Sequence, residues 1–180
     1  MTSKNSPPDA DRANEIIRRS TSAVTTAPDL RFFAAGVPAP KGSKRHVGNG
    51  RMIESSTKLP EWAASVIASA KEAMPHAGFD FEPFETIPAG IPVTVMTTYV
   101  MPRVSDTPRQ ATDLPHVRKP DVDKLDRAVR DALTSAGVYA DDNQVSACWS
   151  RKRYANPNEA TGAWVSVYAR PVSVELRGVA

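Results

Sequence analysis

The chain reads as an α+β domain, a mixed β-sheet with two main helices packed on one face. Three observations predict it. Two segments carry apolar residues at helical spacing, Leu59 to Met74 and the stretch that contains Leu125, Ala128, Val129, Ala132 and Leu133. Several others alternate β-branched and aromatic residues with polar ones, most clearly Ile91 to Met101. The order is strand, short strand, helix, strand, helix and two further strands, without the regular alternation of a doubly wound sheet.

Size and composition set the outer limits. At 180 residues with 41% hydrophobic residues, the chain suits one domain with one core. No apolar run is long enough to span a membrane, and the start lacks a signal-peptide core, so a cytoplasmic protein is expected. The single cysteine, Cys148, excludes an intrachain disulfide framework and a cysteine-based zinc site. It reads as a small strand residue. A net charge of +3 permits nucleic-acid binding without demanding it. The basic residues are clustered, at Lys41, Lys44, Arg45 and Arg51, at Arg118 and Lys119, and at Arg151 to Arg153.

Residues 1–29 are rich in Ser, Thr, Ala, Asp and Pro and read as a disordered N-terminal tail, with residues 30–180 as the folded domain. Leu30 to Val37 reads as a strand with Phe32 and Phe33 toward the core. The Pro38-Ala39-Pro40-Lys41-Gly42-Ser43-Lys44-Arg45 run then breaks regular structure and forms a basic loop. Exposed lysines and arginines on such a loop suit DNA phosphates. Arg51 to Glu54 reads as a short strand.

Pro60 and Glu61 suit the first turn of the Leu59 to Met74 helix, and Trp62, Val66, Ile67 and Ala70 form its apolar stripe. Residues 76–90 are a loop with Phe79, Phe81 and Phe84. In the strand from Ile91 to Met101, Val93, Val95, Thr97 and Tyr99 share one face. Pro102 to Val117 is a long polar loop of the kind that often binds substrate. His46, His76 and His116 read as surface residues, because none has a second histidine at ligand spacing. Gln144 to Tyr154 and Ala163 to Arg170 read as the two strands of a hairpin joined at Asn156-Pro157-Asn158.

The chemistry concentrates between residues 118 and 145. Pro120 sets the helix start, Asp121 or Asp123 suits its cap, and Gly137 suits its stop. In an extended lead-in, Asp121 and Asp123 point to one side and repel unless a cation lies between them. Hard oxygen donors of this kind suit Mg²⁺ or Mn²⁺. A third carboxylate would complete a site for phosphodiester hydrolysis, and Asp142 can supply it only if the following strand returns beside the helix. Asp126 and Asp131 read as solvated, with Asp126 and Arg130 as an i,i+4 pair. Asp141-Asp142-Asn143 also satisfies a plain turn. The spacing does not fit an EF-hand, and no glycine-rich phosphate loop is present.

The run Lys-Pro-Asp-Val-Asp-Lys-Leu from Lys119, the Asp131-Ala132-Leu133 triplet, and Asp141-Asp142-Asn143-Gln144-Val145 resemble the RusA family of Holliday junction resolvases. The resemblance extends upstream through the Pro-x-Pro-Lys-Gly-Ser-Lys-Arg run and covers most of the chain from about Arg31. It implies a RusA-like, homodimeric, Mg²⁺- or Mn²⁺-dependent endonuclease that cuts four-way DNA junctions in pairs, in a bacterial or phage-infected cytoplasm. It makes Asp121, Asp123 and Asp142 the catalytic metal ligands and Asp141 an auxiliary acid. Arg127 stands where the family has lysine and Lys124 where it has asparagine. Arg127 would neutralise charge on the scissile phosphate, and Lys41, Lys44, Arg45, Arg118, Lys119 and Lys124 would contact DNA. The alternatives are a junction-binding protein that does not cut and a phosphohydrolase acting on small substrates.

Overall fold

The computed structural model describes residues 28–42, 44–46, 52–54, 57–77, 86–108 and 110–169. The expectations for the N-terminal tail as far as residue 27, for Phe79, Phe81 and Phe84, and for Arg170 fall outside these residues. So do those for the side chains of Lys44, Arg45 and His46.

In chain order the elements are β1 (Leu30–Ala35), β2 (Lys44–His46), β3 (Met52–Glu54), α1 (Leu59–Ala73), β4 (Val93–Met101), α2 (Val122–Ala136), β5 (Val145–Tyr154) and β6 (Gly162–Ala169). The main sheet has the order β1-β6-β4-β5. β6 is antiparallel to both β1 and β4, whereas β4 and β5 run parallel. A bulge displaces the register at the start of β5. This is the mixed α+β sheet that the sequence predicts.

The predicted hairpin is not formed. β4 lies between β5 and β6, and residues 155–161 carry the chain across its end. The reason is burial. β4 has Val93, Val95, Thr97, Tyr99, Val100 and Met101 buried and takes an interior position, while β5 is exposed from Ser146 to Trp149 and takes the edge. Ala155 donates its N–H to the Met101 carbonyl at 2.8 Å, which fixes the crossing. Gly162 makes the arrival of β6 possible: a Cβ there would meet the Ala34 carbonyl oxygen at 2.2 Å. Lys44 to His46, expected as loop, is a short strand paired with β3.

One core joins the two layers. Leu30, Phe32 and Ala34 from β1, Val165 and Val167 from β6, and Val95 and Tyr99 from β4 face the helices. α1 contributes Trp62, Val66 and Ala70, and α2 contributes Leu125, Val129, Ala132 and Leu133. Each fully buried Leu or Val here is worth about 1.5–3 kcal/mol relative to exposure. Among the described residues, no helix is long and apolar enough to cross a membrane. Asp29, counted with the tail in the sequence reading, is buried and accepts the Ala169 N–H at 2.8 Å.

Candidate active site

α2 is anchored at both ends, and the anchors fix where its carboxylates lie. At its start, Lys152 of β5 donates from Nζ to the Arg118 and Pro120 carbonyls, both at 2.6 Å. His116 N–H binds the Lys152 carbonyl at 3.0 Å, and Tyr154 N–H binds the Leu114 carbonyl at 2.9 Å. The lead-in from Leu114 to Pro120 is thus tied to the last residues of β5. At the other end, Gly137 takes a left-handed φ of 82° and stops the helix. Tyr139 bridges Ile87, and Gln144 donates to the Pro88 and Ile91 carbonyls at 2.8 and 3.2 Å. That end lies at the start of β4 and β5.

Asp121 occupies the N-cap position of α2 in an extended conformation, yet its side chain makes no capping hydrogen bond. It is exposed and pairs with Lys124 at 3.1 Å. Lys124 holds its carboxyl below the usual carboxylate range, with smaller contributions from Lys119 and Lys152. Asp123 lies in the first helical turn, not in an extended lead-in, and is also exposed. Helical spacing sets Arg127, exposed as well, one turn further along on the same face.

The Asp141-Asp142-Asn143-Gln144 run divides into two roles. Asp141 accepts the Asn143 N–H at 2.8 Å, and Gln144 Oε1 accepts the Ala140 and Asp141 N–H groups at 2.9 and 3.1 Å. Together they form a capping box around a 3₁₀ turn over Asp142–Gln144. Asp142 is left exposed.

The two acidic groups do not meet within one chain. The 15 residues of α2 span about 22 Å at ~1.5 Å per residue. β5 returns beside the helix as required, but Asp142 precedes its first residue, and Asp121 lies beside Lys152 near its last. Strand geometry gives a similar separation, roughly 23 Å between Val145 and Lys152. Among the described residues, no group of three acidic, histidine or cysteine side chains could hold a metal ion. Asp121 and Asp123 still suit a hard cation: both are exposed, and Asp121 is not consumed by capping.

Three of the basic residues assigned to DNA are tied to aspartates on the chain itself. Lys41 pairs with Asp131, Arg118 with Asp106, and Lys124 with Asp121. Lys119 is exposed. A cleft of about 320 Å³ beside the α2 lead-in is lined by Val37, Pro38, Met101, His116, Lys119 and Pro120.

Several readings of the sequence change. His116 is buried against Tyr154, with ring centroids 4.7 Å apart, rather than on the surface. Burial, then the Lys152 charge, lowers its pKa. Asp126 is not simply solvated, because it accepts a 2.7 Å hydrogen bond from the buried Tyr99 hydroxyl. Asp131 pairs with Lys41. Lys152, which the sequence shows only as one of the basic Arg151 to Arg153 cluster, positions the lead-in. The signal for that positioning role is strand alternation, which sets it on the Tyr99 side of the sheet.

The sequence model of the family described as Endodeoxyribonuclease RusA matches residues 35–161. No curated protein matches. The matched span runs from the last residue of β1 to the residue before β6 and takes in both acidic groups, the Lys41 segment and the Lys152 anchor. It covers well over half of the chain, which therefore belongs to the RusA endodeoxyribonuclease family.

Proposed function

We propose that this chain is a divalent-metal-dependent endonuclease that resolves four-way DNA junctions by paired, symmetric cleavage as a homodimer in a bacterial or phage-infected cytoplasm. The observation that carries this reading is the family match over residues 35–161, with Asp121, Asp123 and Asp142 all inside it and all exposed. Family membership supports junction DNA as the substrate. Two equivalent cuts on a two-fold junction call for two equivalent sites, which a symmetric dimer supplies.

Asp121, Asp123 and Asp142 would hold Mg²⁺ or Mn²⁺. When bound, the ion supplies Lewis-acid charge and a more acidic water. Asp121 and Asp123 would orient the attacking water. Arg127, permanently charged, stabilises negative charge on the phosphate oxygens and takes no part in proton transfer. Water oxygen bonds to phosphorus as the P–O3′ bond breaks, leaving a 5′-phosphate and a 3′-hydroxyl that takes up a proton. Lys119, with Arg118 and Lys124 once released from their aspartates, holds the flanking phosphates. Lys41, Lys44 and Arg45 bind a neighbouring arm. Asp141 keeps the turn closed behind Asp142.

One observation favours a second reading, a junction-binding protein that does not cut. Lys124 replaces the family's asparagine and pairs with Asp121, competing with a cation for that carboxylate. Incubation of a labelled synthetic four-way junction with Mg²⁺ or Mn²⁺ separates the two. Paired nicks from the native protein, lost in Asp123→Asn while binding persists, support the resolvase. Tight, salt-sensitive binding without nicks in either metal supports the second reading.

A further inference from the structure

We propose that the cleft beside the α2 lead-in is a nucleobase pocket: it takes one unstacked base of the junction next to the scissile phosphate, and His116 hydrogen-bonds the edge of that base. This inference rests on the proposed resolvase reading and adds how the site selects the sequence it cuts.

The first argument is place. Lys119 and Pro120 form part of the cleft wall, and Asp121 is the next residue. At about 3.3–3.6 Å per residue, Lys119 lies within roughly 7 Å of Asp121 along the chain. Lys152 pins this segment through the Arg118 and Pro120 carbonyls, so the cleft and the Asp121 end of α2 keep a fixed relation. A nucleotide whose phosphate meets Asp121 has its base within reach of the cleft.

The second argument is composition. Val37, Pro38, Met101, Pro102 and Pro120 give the cleft apolar walls, and Val37 is 42% exposed. Among the described residues no acidic side chain lines it. Its two charges are Lys58 and Lys119, both exposed and neither paired with a described carboxylate. Apolar walls that grip a flat ring, with cations nearby for the adjoining phosphates, suit a nucleotide. A volume of about 320 Å³ lies at the small end for ligand pockets, the size for a single base.

The third argument is His116. Its backbone N–H is bound to the Lys152 carbonyl and its ring lies against Tyr154, so the residue is held in place. It is only 7% exposed, yet its Nδ1 has no hydrogen-bond partner among the described residues. Buried polar atoms are normally paired. Burial also lowers its pKa, which leaves the ring uncharged at neutral pH. A neutral imidazole offers one donor and one acceptor, which suits a base edge better than a phosphate.

The test measures single-turnover nicking of four-way junctions that carry each of the four bases in turn at the positions flanking the cut. The native protein is expected to prefer one base at one position by on the order of tenfold. His116→Phe keeps a ring against Tyr154 and removes the hydrogen bonds. It is expected to bring the preferred junction down to the rate of the others while junction binding stays within about threefold. Equal slowing on all four bases would mean a structural role for His116 and overturn the inference, as would a native protein with no base preference. A second variant, Val37→Trp, fills the cleft from its exposed wall. An activity-independent readout places a fluorescent analogue at the preferred position, 2-aminopurine for a purine or pyrrolocytosine for a pyrimidine. Its emission is expected to change when the native protein binds without metal, and that change is expected to be lost with Val37→Trp. A change that Val37→Trp leaves intact overturns the pocket. Failure of the native protein to nick any junction in Mg²⁺ or Mn²⁺ would instead sink the resolvase reading. The analogue, scanned across the positions flanking the crossover, would still decide whether a base enters the cleft.

Discussion

Asp121 and Asp141 hold the same local post. Each is the N-cap of a helical turn, and each has an extended backbone. Asp141 closes the capping bond, and Gln144 returns the second half of the box. Asp121 leaves its cap open and turns its carboxylate to solvent and Lys124. A cap residue that caps is explained by stability. One that does not is available for something else, and here it lies two residues before Asp123 in the segment tied down by Lys152. Residue type and position are thus weaker guides to role than whether the hydrogen-bonding capacity is already used.

The largest effect that sharpens this contrast is on chemistry. Asp123→Asn should lower junction nicking on the order of 10²–10³-fold in single-turnover assays while leaving far-UV circular dichroism unchanged. Next comes Gln144→Ala. It leaves the Ala140 and Asp141 N–H groups and the Pro88 and Ile91 carbonyls without their partner. Urea unfolding should show a loss of about 2–3 kcal/mol. Asp141→Ala removes one cap bond and should cost about 1 kcal/mol in the same assay. Smallest of all, Asp121→Asn should leave the melting temperature unchanged within error, since the exposed Lys124 pair contributes little to folding. A large destabilisation by Asp121→Asn would break the contrast.

A pH effect separates the fold from the site. Glu159 grips the largely buried Arg153 through two 2.6 Å hydrogen bonds, and Arg153 holds its carboxyl below the usual value. A carboxylate with a lowered folded pKa contributes stability above its unfolded value. That contribution is lost as pH falls through the folded value, below 4.5. Acid unfolding of Glu159→Gln should therefore depend less steeply on pH in that window than unfolding of the native protein.

Much of this was legible in the sequence, and the losses have physical causes. The apolar spacing from Leu125 to Leu133 marks α2, and the valine and threonine alternation marks β4, because both patterns are local. Lys44 to His46 shows no such pattern, since its ribbon stands apart from the main sheet. The hairpin expectation fails because Asn156-Pro157-Asn158 resembles a tight turn, whereas burial of β4 decides which strands are neighbours. The aspartates stand out in the motif. Their separation does not, because it depends on how α2 and β5 are pinned at each end. The structural use of Asp141 lies in side-chain bonds that spacing cannot reveal.

The most direct test of this division of labour is single-turnover nicking of one labelled four-way junction by Asp141→Ala and Asp142→Asn side by side, at a temperature where both are folded. The account predicts that Asp141→Ala cuts within about tenfold of the native rate and Asp142→Asn falls on the order of 10²–10³-fold. Equal losses, or a reversal of the two, would contradict it.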